Sequence, residues 1–230
     1  MPKVLLIDDD VDLCALLADY LQNDGFDVTA VHDGASGIAA LKASGADITV
    51  LDVMMPGMGG IETLRKIREM SRVPVVMLSA RGDGMDRIVG LELGADDYVP
   101  KPCTAREIAA RLRAILRRVS GQQESVEKSV TGTVVGPLRI SSELRRAEWH
   151  GVPLDLTSAE FNLLDALAKK AGQVVSKQTL SQHALGRPLE RFDRSVDVHV
   201  SNIRQKLGVQ PDGRSWIQTV RGMGYQFLKA

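Results

Sequence analysis

The sequence predicts two domains of different class: an α/β domain on a doubly wound, five-stranded parallel sheet, followed by an α+β domain. Three observations favour this organisation. Five short apolar runs alternate with amphipathic stretches in the first half, residues 120–132 are polar and lack an apolar period, and the order of elements changes beyond them. We therefore expect domains at residues 1–119 and 133–230, joined by a flexible linker at residues 120–132.

The apolar runs at residues 3–7, 27–31, 48–51, 74–78 and 97–99 predict the five strands. Helical patterns lie between these runs, and each parallel strand pair needs such a helix to return the chain. In the first helix, one buried face is predicted from the spacing of Leu13, Leu16, Leu17, Tyr20 and Leu21. A capping box formed by Thr104 and Glu107 begins the last helix of this domain.

The composition is that of a folded globular protein, with 44% hydrophobic and 25% charged residues. The first ten residues run from one lysine into three aspartates, which does not fit a signal peptide. No stretch approaches the roughly 18 unbroken apolar residues of a membrane span. We therefore expect a cytoplasmic protein without a membrane partner. Cys14 and Cys103 fit neither a metal-ligand nor a redox motif, and both are expected to be buried.

Chemically suited side chains follow the ends of four predicted strands. Asp8 and Asp9 end the first strand, Asp52 the third and Ser79 the fourth, while the fifth runs into Lys101. Because ligands bind at the carboxyl ends of the strands in a parallel α/β sheet, we expect these side chains to converge on one solvated rim.

A cluster of carboxylates is costly unless a cation occupies it, and a hard divalent ion such as Mg²⁺ would resolve the repulsion. Asp52 is then the candidate nucleophile, since a carboxylate can accept a phosphoryl group and form an acyl phosphate. The Mg²⁺ ion, the Lys101 ammonium and the Ser79 hydroxyl would neutralise charge on the transferred oxygens.

With these residues, positions 1 to about 120 resemble the receiver domains of two-component response regulators, which have a flavodoxin-like fold. The signatures are Leu5-Leu6-Ile7-Asp8-Asp9-Asp10, Leu51-Asp52-Val53-Met54-Met55-Pro56-Gly57 and Asp97-Tyr98-Val99-Pro100-Lys101-Pro102. The resemblance implies that a sensor histidine kinase phosphorylates Asp52 and that Lys101 pairs with the phosphate. It implies Mg²⁺ ligands at Asp8, Asp9, Asp52 and the Met54 backbone carbonyl. It also implies a switch pair, Ser79 and Tyr98, and a cis peptide bond before Pro102.

Two other function classes share part of these features. Phosphatases of the haloacid-dehalogenase type also use an aspartate nucleophile with Mg²⁺, but they place a second aspartate two residues later, where this sequence has Met54. We therefore expect a protein that is not an enzyme and that loses its phosphate slowly at most. A constitutive DNA-binding protein would need no acidic rim.

The second half of the chain is more basic than the first. Residues 1–118 carry 14 Lys+Arg against 18 Asp+Glu, whereas residues 133–230 carry 14 against 9, which favours a nucleic-acid partner. A capping box of Thr157 and Glu160 predicts a helix to about residue 171, and Ser176 caps a second helix to about residue 183. A third helix is predicted at about residues 193–207, and a hairpin with glycines near its tip follows at residues 219–225.

One face of the third helix is apolar, with Val196, Val200, Ile203 and Leu207. The opposite face carries small, polar or basic groups that suit the floor of a major groove, namely Arg194, Val198 and Ser201, flanked by Ser195 and Asn202. Arg221 projects from the predicted hairpin, where it could contact a minor groove or a phosphate.

Residues 133–230 resemble the winged helix-turn-helix domain of the OmpR/PhoB class of response regulators. The motifs are Leu156-Thr157-x-x-Glu160-Phe161-x-Leu163-Leu164, Val196-Asp197-x-His199-x-x-Asn202-x-Arg204-x-Lys206-Leu207 and Arg221-Gly222-x-Gly224-Tyr225. The resemblance implies a promoter DNA duplex as partner. It places Arg194, Ser195, Val198, Ser201 and Asn202 near bases or phosphates, and His199, Arg204, Thr219 and Arg221 on the backbone or minor groove. It also implies that RNA polymerase contacts residues 184–192. Within the class, Met54-Met55-Pro56, Ala80-Arg81-Gly82 and residues 188–194 followed by Ser201-Asn202 look most like the envelope-stress subfamily.

The same resemblance predicts a homodimer of receivers. It places six charged residues on the face formed by the fourth helix, fifth strand and fifth helix: Arg87, Asp96, Asp97, Glu107, Arg111 and Arg118. A symmetric dimer can use charges of both signs as reciprocal ion pairs. We expect phosphorylation to pair two receivers there, which would raise the effective concentration of the second DNA-binding domain.

Overall fold

The computed structural model describes residues 1–80, 84–119, 132–190 and 193–229. The chain divides into two compact units, Met1–Leu116 and Arg117–Ala230. All of the predicted linker except Gly132 lies outside the described residues, so the predicted domain limits stay predictions. None of the helices in the described ranges has the length and apolar character that a membrane span requires.

The first unit is built on one parallel sheet, along which strands and helices alternate. The elements are β1 (Lys3–Ile7), α1 (Val11–Asn23), β2 (Asp27–Val31), α2 (Gly34–Ser44), β3 (Ile48–Asp52), α3 (Gly60–Met70), β4 (Val75–Ala80), α4 (Gly84–Glu92), β5 (Asp97–Lys101) and α5 (Ala105–Val119). The last three residues of α5 belong to the second unit. The strands lie in the order β2-β1-β3-β4-β5, and each neighbouring pair is parallel. The predicted α/β class and the five predicted strands are confirmed.

The strand that ends in Asp52 lies at the centre of this unit. All five residues of β3 are buried, as expected for a parallel strand whose sheet is covered on both faces. The chain then turns back tightly into α3, and Gly60 makes this turn possible. A Cβ atom at Gly60 would lie 2.0 Å from the carbonyl oxygen of Asp52, so any larger residue would push α3 away from the end of the strand.

The buried face of α1 differs from the predicted one. Leu17 and Leu21 are buried, but Leu16 is 62% exposed and Tyr20 is 37% exposed. Cys14 joins the core instead, so the buried positions follow the spacing of three and four residues that one helix face has. The apolar stripe of α1 is wider than the surface that covers it, and spacing alone could not show which edge of the stripe would be buried.

The second unit is an α+β domain, as predicted. Its elements are β6 (Thr133–Val135), β7 (Leu138–Ser141), β8 (Arg146–Trp149), β9 (Val152–Pro153), α6 (Ser158–Lys169), β10 (Val174–Ser176), α7 (Lys177–Leu180), α8 (Ser195–Leu207), β11 (Ile217–Val220) and β12 (Gly224–Phe227). A π-helical turn, Ser181–Leu185, continues α7. An antiparallel sheet, β6-β7-β8-β9, precedes the helices, and β10, β12 and β11 form a second one.

The helix α8 packs its apolar face into the core of the second unit. Its four predicted core residues, Val196, Val200, Ile203 and Leu207, are all buried. The start of α6 is fixed by the predicted capping box, in which Thr157 and Glu160 each accept a hydrogen bond from the backbone amide of the other. The hairpin β11–β12 follows α8, so the predicted order of three helices and a terminal hairpin is confirmed.

Candidate functional sites

The carboxyl ends of β1 and β3 bring Asp8, Asp9 and Asp52 together. One carboxylate oxygen of each residue lies within 4.8 Å of the other two. Asp8 and Asp52 are each only 3% exposed, whereas Asp9 is exposed. The predicted cluster therefore exists in the structure, but its two inner carboxylates are buried, which corrects the expectation of a solvated rim.

Lys101 reaches this acidic pocket from the end of β5. Its Nζ lies 2.7 Å from Asp8 Oδ2 and 2.6 Å from Asp52 Oδ1. Burial acts to lower the pKa of Lys101, but the hydrogen bonds and charges of the two carboxylates outweigh burial and raise the pKa above its ordinary value. Lys101 therefore stays charged and offsets part of the negative charge of the pocket. The bond between Lys101 and Pro102 is cis, as the resemblance implies.

Asp52 is a buried carboxylate with a contact on each oxygen. Lys101 holds Oδ1, and the backbone amide of Met54 donates to Oδ2 at 2.8 Å. Burial raises the pKa of Asp52 and the charge of Asp8 adds to this, although the lysine and the amide act in the opposite direction. The two contacts fix the orientation of the carboxylate, while its environment leaves its negative charge incompletely balanced.

The predicted switch pair occupies neighbouring strands. Ser79 on β4 is fully buried, and Tyr98 on β5 is 6% exposed. Tyr98 pairs in the sheet with Met77, two positions before Ser79. The Arg87 guanidinium carbon lies 5.4 Å from the centre of the Tyr98 ring. Movement of the ring would therefore disturb a cation–π contact as well as its packing.

Two side chains beside Asp8 were not anticipated from the sequence. His32 Nδ1 lies 3.1 Å, and Cys14 Sγ 3.5 Å, from the carbonyl oxygen of Asp8. His32 follows the end of β2, so the rule for strand ends could have found it. Cys14 is buried as predicted, and burial with nearby Asp8 raises its pKa to about 11. Cys103 is half-buried, which corrects its predicted burial, and burial raises its pKa too.

The structure corrects part of the predicted dimer face. Asp96 is 3% exposed, pairs with Arg68 at 3.0 Å and accepts a hydrogen bond from the Val75 amide at 2.9 Å. Its carboxylate therefore joins α3 to the sheet and is not a surface charge. Asp97, 1% exposed, is also taken up within the chain, where it pairs with Arg111 at 3.0 Å.

The other four residues of that predicted face are also described. Arg118 is 8% exposed, so the expectation of a surface charge is wrong for it. Glu107 pairs with Arg111 at 2.7 Å, one turn along α5. Arg87, Glu107 and Arg111 keep part of their surface exposed. Ion pairs between two chains would therefore have to use these three partly exposed residues, or an ion pair within the chain would have to break. The dimer stays a prediction.

The face of α8 that was predicted to contact DNA is exposed only in part. Arg194 and Ser201 are exposed. Ser195 and His199 have no exposed surface, and Val198 and Asn202 keep 9% and 8% of theirs. The predicted exposure is therefore wrong for these four buried residues in this conformation, and any contact of theirs with DNA stays a prediction.

A buried ion pair accounts for the position of Ser195. Arg187 and Asp193 form a salt bridge immediately before α8, and both are buried. Arg187 Nη2 donates to Ser195 Oγ at 3.1 Å, and Asp193 Oδ1 accepts from the Ser195 amide at 2.8 Å. Burial acts to raise the pKa of Asp193, but Arg187 and Ser195 outweigh it and lower the pKa to about 2. These contacts fix the first turn of α8 and direct the Ser195 side chain inward.

The hairpin β11–β12 is tied to α8 by an arginine. Arg204 Nε donates to the carbonyl oxygen of Ile217 at 2.9 Å, and Arg204 Nη2 donates to Thr219 Oγ1 at 2.8 Å. Thr219 and Arg221 are exposed on the hairpin. The helix and the hairpin thus present Arg194, Ser201, Thr219 and Arg221 from one connected scaffold.

A second group of contacts between α8 and the hairpin was missed by sequence reasoning. The Tyr225 hydroxyl donates to Asp197 Oδ1 at 2.5 Å, and Lys177 Nζ lies 2.6 Å from the same oxygen. Burial, with the hydrogen bond to Asp197, raises the pKa of Tyr225. Tyr225 and Asp197 are 28 positions apart, and no local pattern could have paired them.

The two halves of the chain match two known families. Residues 4–113 match the response regulator receiver domain. Residues 151–227 match the family described as transcriptional regulatory protein, C terminal. Both matches lie inside the domains that the sequence predicts.

Full-length relatives extend these matches to the whole chain. The transcriptional regulatory protein CpxR of Klebsiella pneumoniae subsp. pneumoniae is 47% identical over 232 residues, covering 100% of both chains. The sensory transduction protein RegX3 of Mycolicibacterium smegmatis is 40% identical over 98% of this chain and 99% of its own. The crystal structure of DrrB, an OmpR/PhoB homolog of Thermotoga maritima, is 28% identical, covers 99% of each chain and gives a TM-score of 0.51. The OmpR/PhoB class and the subfamily that the sequence predicts are confirmed by these likenesses.

Proposed function

Because the chain belongs to the family of transcriptional response regulators that join a receiver domain to an OmpR-type DNA-binding domain, we propose that phosphorylation of Asp52 controls its binding to promoter DNA. A sensor histidine kinase supplies the phosphoryl group in this proposal, and the protein acts in the cytoplasm. The observation that carries it is the contact of Lys101 with both Asp8 and Asp52, within an acidic cluster at the carboxyl ends of the strands.

Asp52 is the phosphoacceptor in this proposal. One of its oxygens attacks the phosphorus while the bond to the donor's leaving atom breaks, which leaves an acyl phosphate on the carboxylate. Lys101 is already within hydrogen-bond distance of Asp52 Oδ1, so its ammonium can move to the new phosphoryl oxygens. Ser79 lies on β4, next to the strand of Asp52, and in this proposal its hydroxyl moves to contact the phosphoryl group. The ring of Tyr98, on the next strand β5, then moves inward behind Ser79.

The donor set of the pocket fits Mg²⁺. Carboxylate oxygens from Asp8, Asp9 and Asp52 lie within 4.8 Å of one another, and one lysine alone cannot balance three negative charges. Hard oxygen ligands of this kind suit Mg²⁺, which when bound would neutralise charge on the phosphoryl oxygens. We assign these three residues, with the Met54 backbone carbonyl, as its ligands.

The same pocket is built to keep a phosphoryl group and not to turn it over. A phosphatase of the related aspartate type needs an acid/base carboxylate two positions after the nucleophile, and Met54 stands there with a side chain that cannot take a proton. Loss of the phosphoryl group by attack of water is therefore slow in this proposal. Slow loss gives the phosphorylated state time to be read by the DNA-binding domain.

The remaining partners are a second copy of the chain and RNA polymerase. Pairing of two phosphorylated receivers would place two DNA-binding domains on adjacent half-sites, so that the second binds at a high effective concentration. Arg194, Ser201, Thr219 and Arg221 are exposed and could contact DNA directly. The segment at residues 184–192 is proposed for polymerase, and its residues 191–192 lie outside the described residues.

Mass spectrometry after incubation with acetyl phosphate and Mg²⁺ tests the phosphoacceptor. The wild-type chain should gain one phosphoryl group, and Asp52→Ala should gain none. Asp27→Ala, which removes an exposed aspartate at the start of β2, should react like the wild type. A phosphoryl adduct on Asp52→Ala, or turnover of many phosphates per chain, would contradict the proposal.

Selection of bound fragments from genomic DNA, with and without beryllium fluoride as a phosphate analogue, tests the control of DNA binding. We expect the analogue to enrich fragments that carry two half-sites and to shift the chain from monomer to dimer in analytical ultracentrifugation. Equal enrichment with Asp52→Ala would instead indicate a constitutive DNA-binding protein.

A further inference from the structure

Asp197 lies among positive charges on the surface proposed to bind DNA. It is the acidic residue within α8, whose other charged side chains are Arg204 and Lys206. Lys177 Nζ from α7 lies 2.6 Å from Asp197 Oδ1, and Arg194 Nε lies 3.9 Å from Asp197 Oδ2. A carboxylate in this position repels a phosphate backbone. Its presence on a surface proposed to bind DNA therefore indicates another role for Asp197.

Tyr225 connects the carboxylate to the hairpin. Its hydroxyl donates to Asp197 Oδ1 at 2.5 Å. Two cations lie near its ring, with Lys177 Nζ 5.8 Å and the Arg204 guanidinium carbon 5.5 Å from the ring centre. Tyr225 is 5% exposed, whereas the side chain of Asp197 keeps 24% of its surface. The carboxylate is thus held by the hydroxyl of a buried residue, while part of its own surface remains open to solvent.

From this geometry we infer that Asp197 is a built-in counter-ion of the DNA-binding surface, which holds Lys177 back from DNA phosphates and so limits sequence-independent binding. The inference rests on the proposed DNA-binding function and deepens it. Asp197 is a positioning residue here, because it acts on DNA through Lys177 and not by a contact of its own.

Binding to DNA irrespective of sequence depends on how many cations of the protein are free to meet phosphates. Each cation that neutralises a DNA phosphate releases about one counterion. A plot of the logarithm of the affinity against the logarithm of the salt concentration therefore has a slope of about −0.9 per phosphate contact. Sequence-independent affinity comes from this term. The ammonium of Lys177 has a carboxylate oxygen at 2.6 Å and therefore adds little to it. Arg194, at 3.9 Å from Asp197 and with 69% of its side chain exposed, is held more weakly and remains available.

The test is the salt dependence of binding to duplex DNA of random sequence, measured with the full chain. Asp197→Asn should bind this DNA more tightly than the wild type at low salt, with a slope steeper by about 0.9. Asp165→Asn is the matched control, because it also removes one carboxylate from a lysine pair in the same unit, Lys169 at 2.8 Å. The control should keep the wild-type slope. A purely structural role for Asp197 would instead weaken binding in Asp197→Asn.

A double variant identifies the cation. Lys177→Met alone should keep the wild-type slope, and Asp197→Asn with Lys177→Met should return the steepened slope to the wild-type value. If Lys177→Met alone flattens the slope by about 0.9, Lys177 already meets a phosphate and the inference is overturned. This comparison holds even if Asp197→Asn does not fold. A wild-type chain that fails to bind DNA would contradict the proposed function itself, whereas binding with unchanged slopes in every Asp197 variant would overturn the inference alone.

Discussion

Two buried carboxylates of this protein, Asp52 and Asp193, have pKa values shifted in opposite directions. Both are less than one-tenth exposed, and each lies beside a cation. Burial prevails at Asp52 and raises its pKa, whereas Arg187 and Ser195 prevail over burial at Asp193 and lower its pKa to about 2. Burial beside a positive charge is therefore not enough to set the ionisation of a carboxylate.

The difference lies in how the neighbouring charges are shared. Lys101 is divided between Asp52 and Asp8, and Asp8 itself opposes the ionisation of Asp52. Asp193 instead combines the Arg187 salt bridge with a hydrogen bond from the Ser195 amide at 2.8 Å. The negative charge of Asp52 is thus only partly balanced, as suits a site that must accept a charged phosphoryl group. The negative charge of Asp193 is balanced more fully, as suits an ion pair that only fixes the start of a helix.

Removal of Arg187 should give the largest effect, because it leaves Asp193 buried without its salt bridge. We expect Arg187→Met to lower the free energy of unfolding of the second unit by about 3–5 kcal/mol at neutral pH. Urea unfolding followed by tryptophan fluorescence measures this unit, since both tryptophans, Trp149 and Trp216, lie in it. Lys169→Met, which breaks an exposed pair with Asp165, should cost no more than about 0.5 kcal/mol. Similar losses in the two variants would erase the contrast between buried and exposed pairs.

Neutralisation of Asp193 should have a smaller effect that depends on pH. Since its pKa is lowered from 3.8 to about 2 on folding, the ionised carboxylate should contribute about 2 kcal/mol at neutral pH. This stability is present above the unfolded pKa and is lost as the pH falls from about 4 towards about 2. We therefore expect Asp193→Asn to unfold at lower urea than the wild type at pH 7, with the gap closing in acid. A gap that stays constant with pH would mean that packing, and not charge, sets the cost.

The acidic pocket could be predicted from sequence because local patterns and topology place it. Apolar runs located the strands, and a parallel sheet brings the carboxyl ends of its strands to one edge, so that Asp8, Asp52 and Lys101 had to approach one another. The same rule applied to β2 would have added His32. The ends of regular elements are thus predictable even when the side-chain distances are not.

The buried pairs could not be predicted in this way. Arg187 with Asp193, and Asp197 with Lys177 and Tyr225, join side chains on loops and on different elements, and no period in the sequence links them. The same limit explains the errors at α1 and at Asp96. Periodicity identified apolar or charged residues, but the neighbouring elements determined which of them are covered.

Addition of Mg²⁺ should sharpen the comparison, since it acts on the pocket and not on the Arg187–Asp193 pair. A ligand that binds the folded state at ten times its dissociation constant stabilises it by about 1.4 kcal/mol. Calorimetry should show this gain for the first unit of the wild type, with K⁺ at equal ionic strength as the control. Asp9→Asn, which removes the exposed carboxylate of the cluster, should need more Mg²⁺ for the same gain. Equal gains with K⁺ would indicate screening and no specific site.

Neutralisation of Asp52 should have the smallest effect, and its sign should be opposite to that at Asp193. A carboxyl group whose pKa is raised on folding stabilises the folded state below its unfolded pKa, and this contribution is lost as the pH rises through the folded pKa. At neutral pH the ionised Asp52 therefore costs stability. Lys101 would keep its contact with Asp8 at 2.7 Å after the change.

We accordingly expect Asp52→Asn, without Mg²⁺, to raise the unfolding free energy of the first unit slightly at pH 7. The gain should shrink in acid, where the wild-type carboxyl group becomes protonated. Calorimetry at several pH values measures both the sign and the trend. If Asp52→Asn instead lowered the unfolding free energy as much as Asp193→Asn does, Lys101 would balance the charge of Asp52 as fully as Arg187 balances that of Asp193. The proposed electrostatic difference between the two sites would then be wrong.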